Sequence, residues 1–568
     1  MQRFLRTLPL LVAAALMAAC APDAGRDAGR DAAAPKAVAD AVADASTSAH
    51  VAAIEGRVAA HYFGRQWPKN FISGFRREHV AEDFARLRAD GFDTVVLVVS
   101  WGDFQPGMLP CCTWDERAFE RLHFLLDRAD EAGLKVMLRL GYAWFFHPEA
   151  GDVGDRQHRL MNDPEVRASY QRFLQRVATE VSDKPQVVLG FMSWEDQWLR
   201  KVDESARPDY EQYLATLPPD ARRGTGLPDA VEDAALFHGF WDWLVIEKLH
   251  RPAVPLFPGL SYEARIDRDP RYEPGPDGKP VVAEWIAHTG MTRLPPGHVL
   301  TLYWAPFWGA LNQGEQLTAA RGLELFDALL REAGADGQRR LFVDQFNFVD
   351  NTPGYEHNAV LRPEEIFSFL HRSVCVMKAR GVAGYALWTS QDYAENPLHN
   401  PAFGYGLEGW RFERAGGRPE AALQPLPSGD LALAMAAGDR LSQRVPAKRG
   451  RLMRADDNIP DQVCLEADAT APARLRLQAG AGAPVTLAFD GRGRQRACTA
   501  IEPVPVDGDL AFSASVESGA LRLRDVQLFD HVQYGGFYDL QGAPGPLHDA
   551  VRRMNRDFRA VPAPARCG

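Results

Sequence analysis

Beyond its first twenty residues the chain has no hydrophobic run long enough to span a membrane, so no helix crossing a bilayer is expected. Cysteine is scarce: there are seven, with no Cys-x-x-Cys and no Cys/His spacing suited to zinc, so neither a metal nor a cofactor is implied. No Gly-x-Gly-x-x-Gly or Walker-type loop follows any strand-like run, which speaks against an open nucleotide-binding sheet. Positive charge is also in deficit, with 64 Lys and Arg against 75 Asp and Glu and a net charge of −11. Nucleic acid is therefore a poor partner, and a neutral polymer or small polar ligand suits the chain better. What is present is bulk: 568 residues, 46% hydrophobic and 10% aromatic, enough for one large barrel and a smaller module.

Residues 1–20 read as a targeting signal. Arg3 and Arg6 precede an apolar run from Leu8 to Ala19, and Leu16-Met17-Ala18-Ala19-Cys20 resembles a bacterial lipobox, whose cysteine becomes a lipidated N-terminus. Cys20 is thus the expected lipid attachment, the only contact with a membrane, and the location is the bacterial cell envelope, periplasmic or outer-membrane face. Residues 21–50 carry Ala, Asp, Gly and Arg with the repeat Asp-Ala-Gly-Arg and no aromatic residue. They read as a disordered tether.

Over 51–414 strand-like and helical patterns alternate. Apolar runs fall near 59–63, 94–101, 135–142, 186–194, 255–261, 298–304, 340–348 and 382–389, with helical patterns at 80–89, 115–132, 164–182, 233–249, 315–334 and 363–380; 262–297 does not read as a clean helix. Eight strands so interleaved predict a (β/α)8 TIM barrel of the α/β class, with its site at the C-terminal strand ends.

The most informative strand is the fourth. Val187 to Ser193 runs straight into Glu195 and Asp196, bracketed by Trp194 and Trp198. A carboxyl delivered by a buried strand into an aromatic cleft loses solvation and is expected to hold its proton nearer neutrality. A strand-end carboxylate paired with an arginine fits these residues equally well. The other strand ends supply Trp101, Arg139, Tyr142, Trp144, Tyr262, Glu263, Tyr303, Trp304, Asp344, Gln345, Asn347 and Trp388. Indole and phenol faces stack on sugar rings while amides and carboxylates take hydroxyls, so the mixture suits a saccharide cleft. Asp103, Glu263, Glu284, Asp350 and Asp392 are expected in loops over the mouth. His61, His147, His298 and His357 form no recognisable metal constellation.

On these residues the barrel resembles the clan of retaining (β/α)8 glycoside hydrolases that includes the family-five cellulases and mannanases. The resemblance implies that Glu195 is the general acid/base, that Tyr303 is the sixth-strand tyrosine, and that Trp388 in Ala386-Leu387-Trp388-Thr389 is the eighth-strand tryptophan. Two positions depart from the clan. Trp194 stands where an Asn is usual, and Gln345, in Leu341-Phe342-Val343-Asp344-Gln345, stands where the nucleophilic Glu belongs. An amide cannot form the glycosyl ester. Either Asp344 takes the role, or the enzyme inverts, or the barrel only binds. Regular strand alternation sends Asp344 and Gln345 to opposite sides, so a bulge is needed for both to enter the cleft.

Over 415–568 helical patterns give way to short turn-punctuated strands, predicting a β-sandwich with a terminal helix near 545–559 and a bridge between Cys464 and Cys498. Carbohydrate binding and a plain structural role are both open for it. The reading is a monomeric, lipid-anchored glycoside hydrolase acting on a polysaccharide or oligosaccharide, with Glu195 and Asp344 as carboxylates and Trp101, Tyr142, Trp194, Tyr303, Trp304, Gln345, Asn347 and Trp388 holding the sugar. The alternative is a non-catalytic polysaccharide-binding lipoprotein with a degenerate barrel.

Overall fold

The strand-forming residues between 58 and 387 pair edge to edge until the sheet closes on itself. In chain order these are β1 (Val58–His61), β2 (Thr94–Val98), β3 (Lys135–Leu140), β4 (Val187–Met192), β5 (Leu260–Ala264), β6 (Val299–Trp304), β7 (Arg340–Phe346) and β8 (Gly384–Leu387). All neighbours are parallel, and β1 pairs with both β2 and β8. The computed structural model describes residues 51–560 apart from 143, 146, 193–201, 223–225, 230–232, 258, 265–267, 275–279, 288–298, 305–315, 335–339, 350–359, 415–421, 446–459 and 505–508. The expected eight-stranded barrel is present. Its fifth strand lies later than the apolar run at 255–261 suggested, and 262–297 contains, besides the end of β5, a two-stranded hairpin over 268–274 and 280–287. Glu263 accordingly sits in a barrel strand and not in a loop, and Glu284 sits in the hairpin.

Six main helices connect the barrel strands, and side-chain caps of their own start three of them. They are α1 (Arg77–Ala89), α2 (Glu116–Glu131), α3 (Pro164–Glu180), α4 (Ala234–Leu244), α5 (Ala319–Ala333) and α6 (Ile366–Ala379). In α2, Ala118, Leu122, Leu125 and Ala129 recur at helical spacing and are buried, while the Asp115 side chain caps the first turn at the Arg117 amide. Asp163 and Pro164 start α3 in the same way, and Thr318 caps α5.

Inside the barrel Ala59, Val96, Met137, Leu189, Phe191, Val299, Phe342 and Ala386 form a core of their own, separate from the layer between strands and helices. Gly190 of β4 permits this packing on its other side: a Cβ there would meet the Phe257 ring at 2.4 Å.

Ten further strands build two five-stranded antiparallel sheets: β9 (Arg411–Glu413), β10 (Leu423–Pro425), β11 (Leu431–Ala436), β12 (Arg440–Val445), β13 (Gln462–Ala469), β14 (Ala473–Ala479), β15 (Val485–Phe489), β16 (Gly493–Ala500), β17 (Leu510–Ser518) and β18 (Ala520–Phe529). One sheet runs β9-β12-β17-β14-β15 and the other β10-β11-β18-β13-β16. Strict alternation in β14, where Leu475 and Leu477 are buried and Arg474, Arg476 and Gln478 exposed, marks a sheet wet on one face. Short β9, β10 and β12 carry too few apolar residues to stand out in the sequence. Cys464 on β13 faces Cys498 on β16 and the two are bonded, with Cα atoms 4.1 Å apart.

The sandwich packs directly on the barrel. Asp430, between β10 and β11, accepts the Arg77 and Glu78 amides of α1 at 2.8 and 3.0 Å, so a carboxylate more than 350 residues away in sequence caps a barrel helix. Asn396 bonds Val526 and Leu528 of β18. Helix α7 (His548–Ala560) returns to the barrel, where Asn555 accepts the Tyr385 hydroxyl of β8 at 2.6 Å and Phe558 packs edge-on against that ring. No helix among the described residues is long and apolar enough to cross a membrane.

Candidate active site

Polar side chains take over from the apolar core toward the C-terminal ends of the strands. Arg139 is the one cation in the otherwise apolar run Val136-Met137-Leu138-Arg139-Leu140 and it is wholly buried, as are Glu263 of β5 and Asp344 of β7. A buried guanidinium needs acceptors for its fork of donors. Arg139 Nη2 donates to Asp344 Oδ2 at 2.5 Å and to Glu263 Oε2, and Nη1 donates to Gln345 Oε1 at 3.0 Å. The Phe191 ring lies 5.2 Å from the same guanidinium.

This arrangement requires consecutive residues of β7 to point the same way, and the strand does bulge there. Val343 pairs with Leu302 and Gln345 with Tyr303, leaving Asp344 as the extra residue; the β8 side shifts register over the same interval. A bulge removes a carbonyl from the ladder, and His61 at the end of β1 supplies the replacement, its Nε2 donating to the Asp344 carbonyl at 2.6 Å. Burial, reinforced by the nearby Arg139 charge, pushes the His61 imidazole well below its ordinary pKa, so the ring stays neutral in this role.

Above this layer, half-buried Trp388 follows β8 and packs 5.0 Å from both His61 and Phe63. Asn347 is buried just past β7 and its Oδ1 accepts the Val349 amide. Tyr142 is fully buried, edge-on to Tyr170 at 5.6 Å. Trp101 is also fully buried: its Nε1 donates to Gln105 at 2.6 Å and the Arg156 guanidinium lies 4.0 Å from its ring. Trp67 and Trp144, from the loops after β1 and β3, hold the Lys69 ammonium between them at 4.5 Å from each ring. Tyr303 and Trp304 end β6 with their backbones opposite Gln345 and Phe346. Trp194, Glu195 and Cys20 lie outside the described residues.

A second buried network joins the loops after β2, β3 and β8. His147 Nε2 lies 3.1 Å from Asp115 Oδ2 and 3.3 Å from Glu408 Oε1, and His399 Nε2 lies 3.2 Å from the same Glu408 oxygen. Asp115, His147 and Glu408 could in principle ligate a cation, since their ligand atoms fall within 4.8 Å of one another. However, Arg117 already places its guanidinium on both carboxylates, reaching Asp115 at 2.6 and 2.9 Å and also bonding Glu408. Burial acts to raise the Asp115 carboxyl, but hydrogen bonds from His147 and Arg117 outweigh it and hold the group well below the carboxylate range. The network therefore locks three mouth loops together. Asp103, beside it, is buried and accepts the His147 amide at 2.9 Å.

Sequence reasoning picked out Asp344 and Gln345 but missed that Arg139 and Glu263 complete their cluster. The available signal was Arg139 itself, a lone charge inside a buried strand that has to find carboxylates from strands across the barrel.

No protein-family model matches the chain, and no curated protein matches it either. Among solved structures, a GH5_18 protein of Streptomyces cattleya in complex with GlcNAc is similar, at 16% identity over 59% of this chain and 72% of that one with a TM-score of 0.39. An exo-β-1,4-mannosidase of Opitutaceae bacterium strain TAV5 aligns at 16% identity over 59% and 52%, TM-score 0.39. An endo-1,4-β-mannanase of Rhizomucor miehei aligns at 9% identity over 59% and 85%, TM-score 0.38. Identity this low and superposition this loose leave the activity to the chain's own residues.

Proposed function

We propose that this chain is a glycoside hydrolase that cleaves a polysaccharide or oligosaccharide of the cell envelope, where a lipid on Cys20 holds it. The observation that carries the reading is the β7 bulge, which turns both Asp344 and Gln345 toward Arg139 at the end of the barrel where (β/α)8 enzymes keep their sites. In this reading Glu195, three residues past β4, protonates the leaving oxygen. Asp344 is the second carboxylate, with one oxygen fixed by Arg139 and the other, Oδ1, buried with no hydrogen-bond partner among the described residues. Gln345, Asn347, Tyr303, Trp304, Trp194 and Trp388 take sugar hydroxyls and ring faces, while Trp101 and Tyr142 back the cleft wall.

The non-catalytic reading draws on the same cluster. Arg139 engages Asp344 as a structural ion pair would, and Gln345 stands where the resembling clan keeps its nucleophile. One experiment separates the two. Purified protein is incubated with envelope and plant polysaccharides, new reducing ends are measured, and the anomer of the first product is followed by NMR. Retention calls for carboxyls roughly 5–5.5 Å apart and inversion for roughly 6.5–9.5 Å with a water between them. Loss of turnover in Asp344→Asn with binding intact supports the hydrolase. Binding of every polysaccharide with cleavage of none, and an Asp344→Asn variant indistinguishable from the parent, leaves the binding protein.

A further inference from the structure

The outward face of the β9-β12-β17-β14-β15 sheet carries a charge pattern opposite to that of the whole chain. Its ladder places Arg411 beside Ser442, Ser442 beside Ser513, and Ser513 beside Gln478; the next row runs Glu413, Arg440, Ser515, Arg476 and Thr486. Arg444 and Arg474 extend the face along their strands. All five arginines are exposed, in a chain whose net charge is −11. The acidic residues described on or beside the face include Glu413, Asp509, Glu517 and, past the end of β15, Asp490, which is itself paired with Arg492. Two of those pair at the margin, Arg411 with Glu413 at 2.8 Å and Arg444 with Asp509 at 2.7 Å, both exposed pairs of the weak kind.

The face is also concave. Ser442 and Ser513 make a low floor, with Arg411, Arg440 and Arg444 toward one side and Gln478 toward the other, in an open basin of about 410 Å³. Strands lie roughly 4.8 Å apart, so Arg440 and Arg476 flank Ser515 at about 10 Å across two ladder steps. That width, in the row beside the basin, admits a chain with anionic groups reaching guanidinium forks on either side. Serine and glutamine are left to meet hydroxyls.

We propose that this sheet face binds an acidic polysaccharide, one bearing carboxylates or sulfates along its length, lying over the basin of Arg411, Arg440 and Arg444 and the adjoining row that holds Arg476. Guanidinium groups match carboxylate and sulfate oxygens in paired, charge-assisted hydrogen bonds. Phe512, the aromatic residue beside the basin, is buried, so it presents no exposed ring for nucleobase stacking. The face also lacks an apolar side chain to insert into a bilayer, since the exposed large hydrophobics among the described residues, Phe367 and Tyr534, lie on other elements. The proposal does not depend on hydrolysis by the barrel.

The test is binding of the whole chain to polygalacturonate, alginate, dextran sulfate, neutral dextran, a DNA duplex and phosphatidylglycerol vesicles, at low and at physiological salt. Acidic glycans should bind and weaken with salt while neutral dextran does not bind, and the ratio of uronate to sulfate polymers names the anion. Arg440→Gln with Arg476→Gln should weaken that binding about tenfold or more, the loss of two charge-assisted contacts. Arg492→Gln, which removes a charge from the β15–β16 turn, should leave it unchanged, and unfolding curves of all variants should coincide. New reducing ends measured on the Arg440→Gln, Arg476→Gln protein report on the barrel separately, so failure of the barrel reading and failure of this one are separately visible. Absence of acidic-glycan binding, equal binding by the double variant, or preference of these arginines for DNA or vesicles would overturn the proposal.

Discussion

Replacing Arg139 by Met tests whether the Arg139 cluster is an obligatory ion pair. The substitution keeps much of the volume and removes the guanidinium that, among the described residues, Asp344 and Glu263 share, all three being fully buried. Breaking a buried pair by deleting one partner costs about 3–5 kcal/mol, because the remaining charge stays desolvated. The hydrogen bond to Gln345 adds roughly 1 kcal/mol. Against a total stability of about 5–15 kcal/mol such a loss is large. Urea unfolding at pH 7 should show it as a drop in midpoint without a change in slope. Two further measurements distinguish buried charge from lost packing. Lowering the pH toward 5 should shrink the deficit, since carboxylates left buried without a cation take up protons in the folded state before they do in the unfolded chain. Adding Glu263→Gln and Asp344→Asn to Arg139→Met should recover most of the stability. An Arg139→Met protein within about 1 kcal/mol of the parent, at the level of an ordinary surface change, would refute the reasoning, and so would a deficit that neither acid nor the added amides reduce.

Glu195→Gln should slow turnover of natural glycans about 10²–10⁴-fold and spare substrates with activated leaving groups, in a rate assay run on both. Cys20→Ser should move the protein from the membrane to the soluble fraction on cell fractionation. Asp430→Ala removes the cap that the sandwich sets on α1 and should cost about 1–2 kcal/mol in unfolding experiments, a loss that Asp430→Asn largely avoids. Burial raises the Asp392 carboxyl to about 6, against the opposing hydrogen bonds of the Gly535 and Gly536 amides. Because the folded state then holds the proton more tightly than the unfolded state, this group's contribution falls as pH rises from about 4 through 6. Asp392→Asn should therefore stabilise the protein at pH 7–8 and lose that advantage below about pH 4, as read from melting temperatures across pH.

Periodicity carried the architecture because burial is a local demand. Strands covered on both faces must be continuously apolar, so Thr94–Val98 and Val187–Met192 were legible in isolation, as was the alternation of β14. The stretch around β5 was not, because its strand is short and is followed by a polar hairpin that carries no helical period. Among site residues, Asp344 and Gln345 could be named, and the need for a bulge could be derived from strand geometry. That the bulge exists, and that Arg139 draws both side chains inward, depends on register between β7 and its two neighbours.

The amino-acid order by itself determined the eight strands with six helical patterns among them, the all-β tail and the placement of carboxylates, amides and aromatics at strand ends, since each follows from the residue pattern along a few consecutive positions. Tertiary structure alone decided which charges meet. Arg139, Glu263 and Asp344 are separated by 124 and 81 positions and converge because barrel closure brings their strands around one interior. Asp430 caps α1 because the sandwich packs there, and five arginines share one face because four sheet strands distant in sequence lie side by side. Hydrophobic burial is written in the local pattern, whereas a buried ion pair is a contact between distant residues whose geometry exists only once the chain has closed on itself.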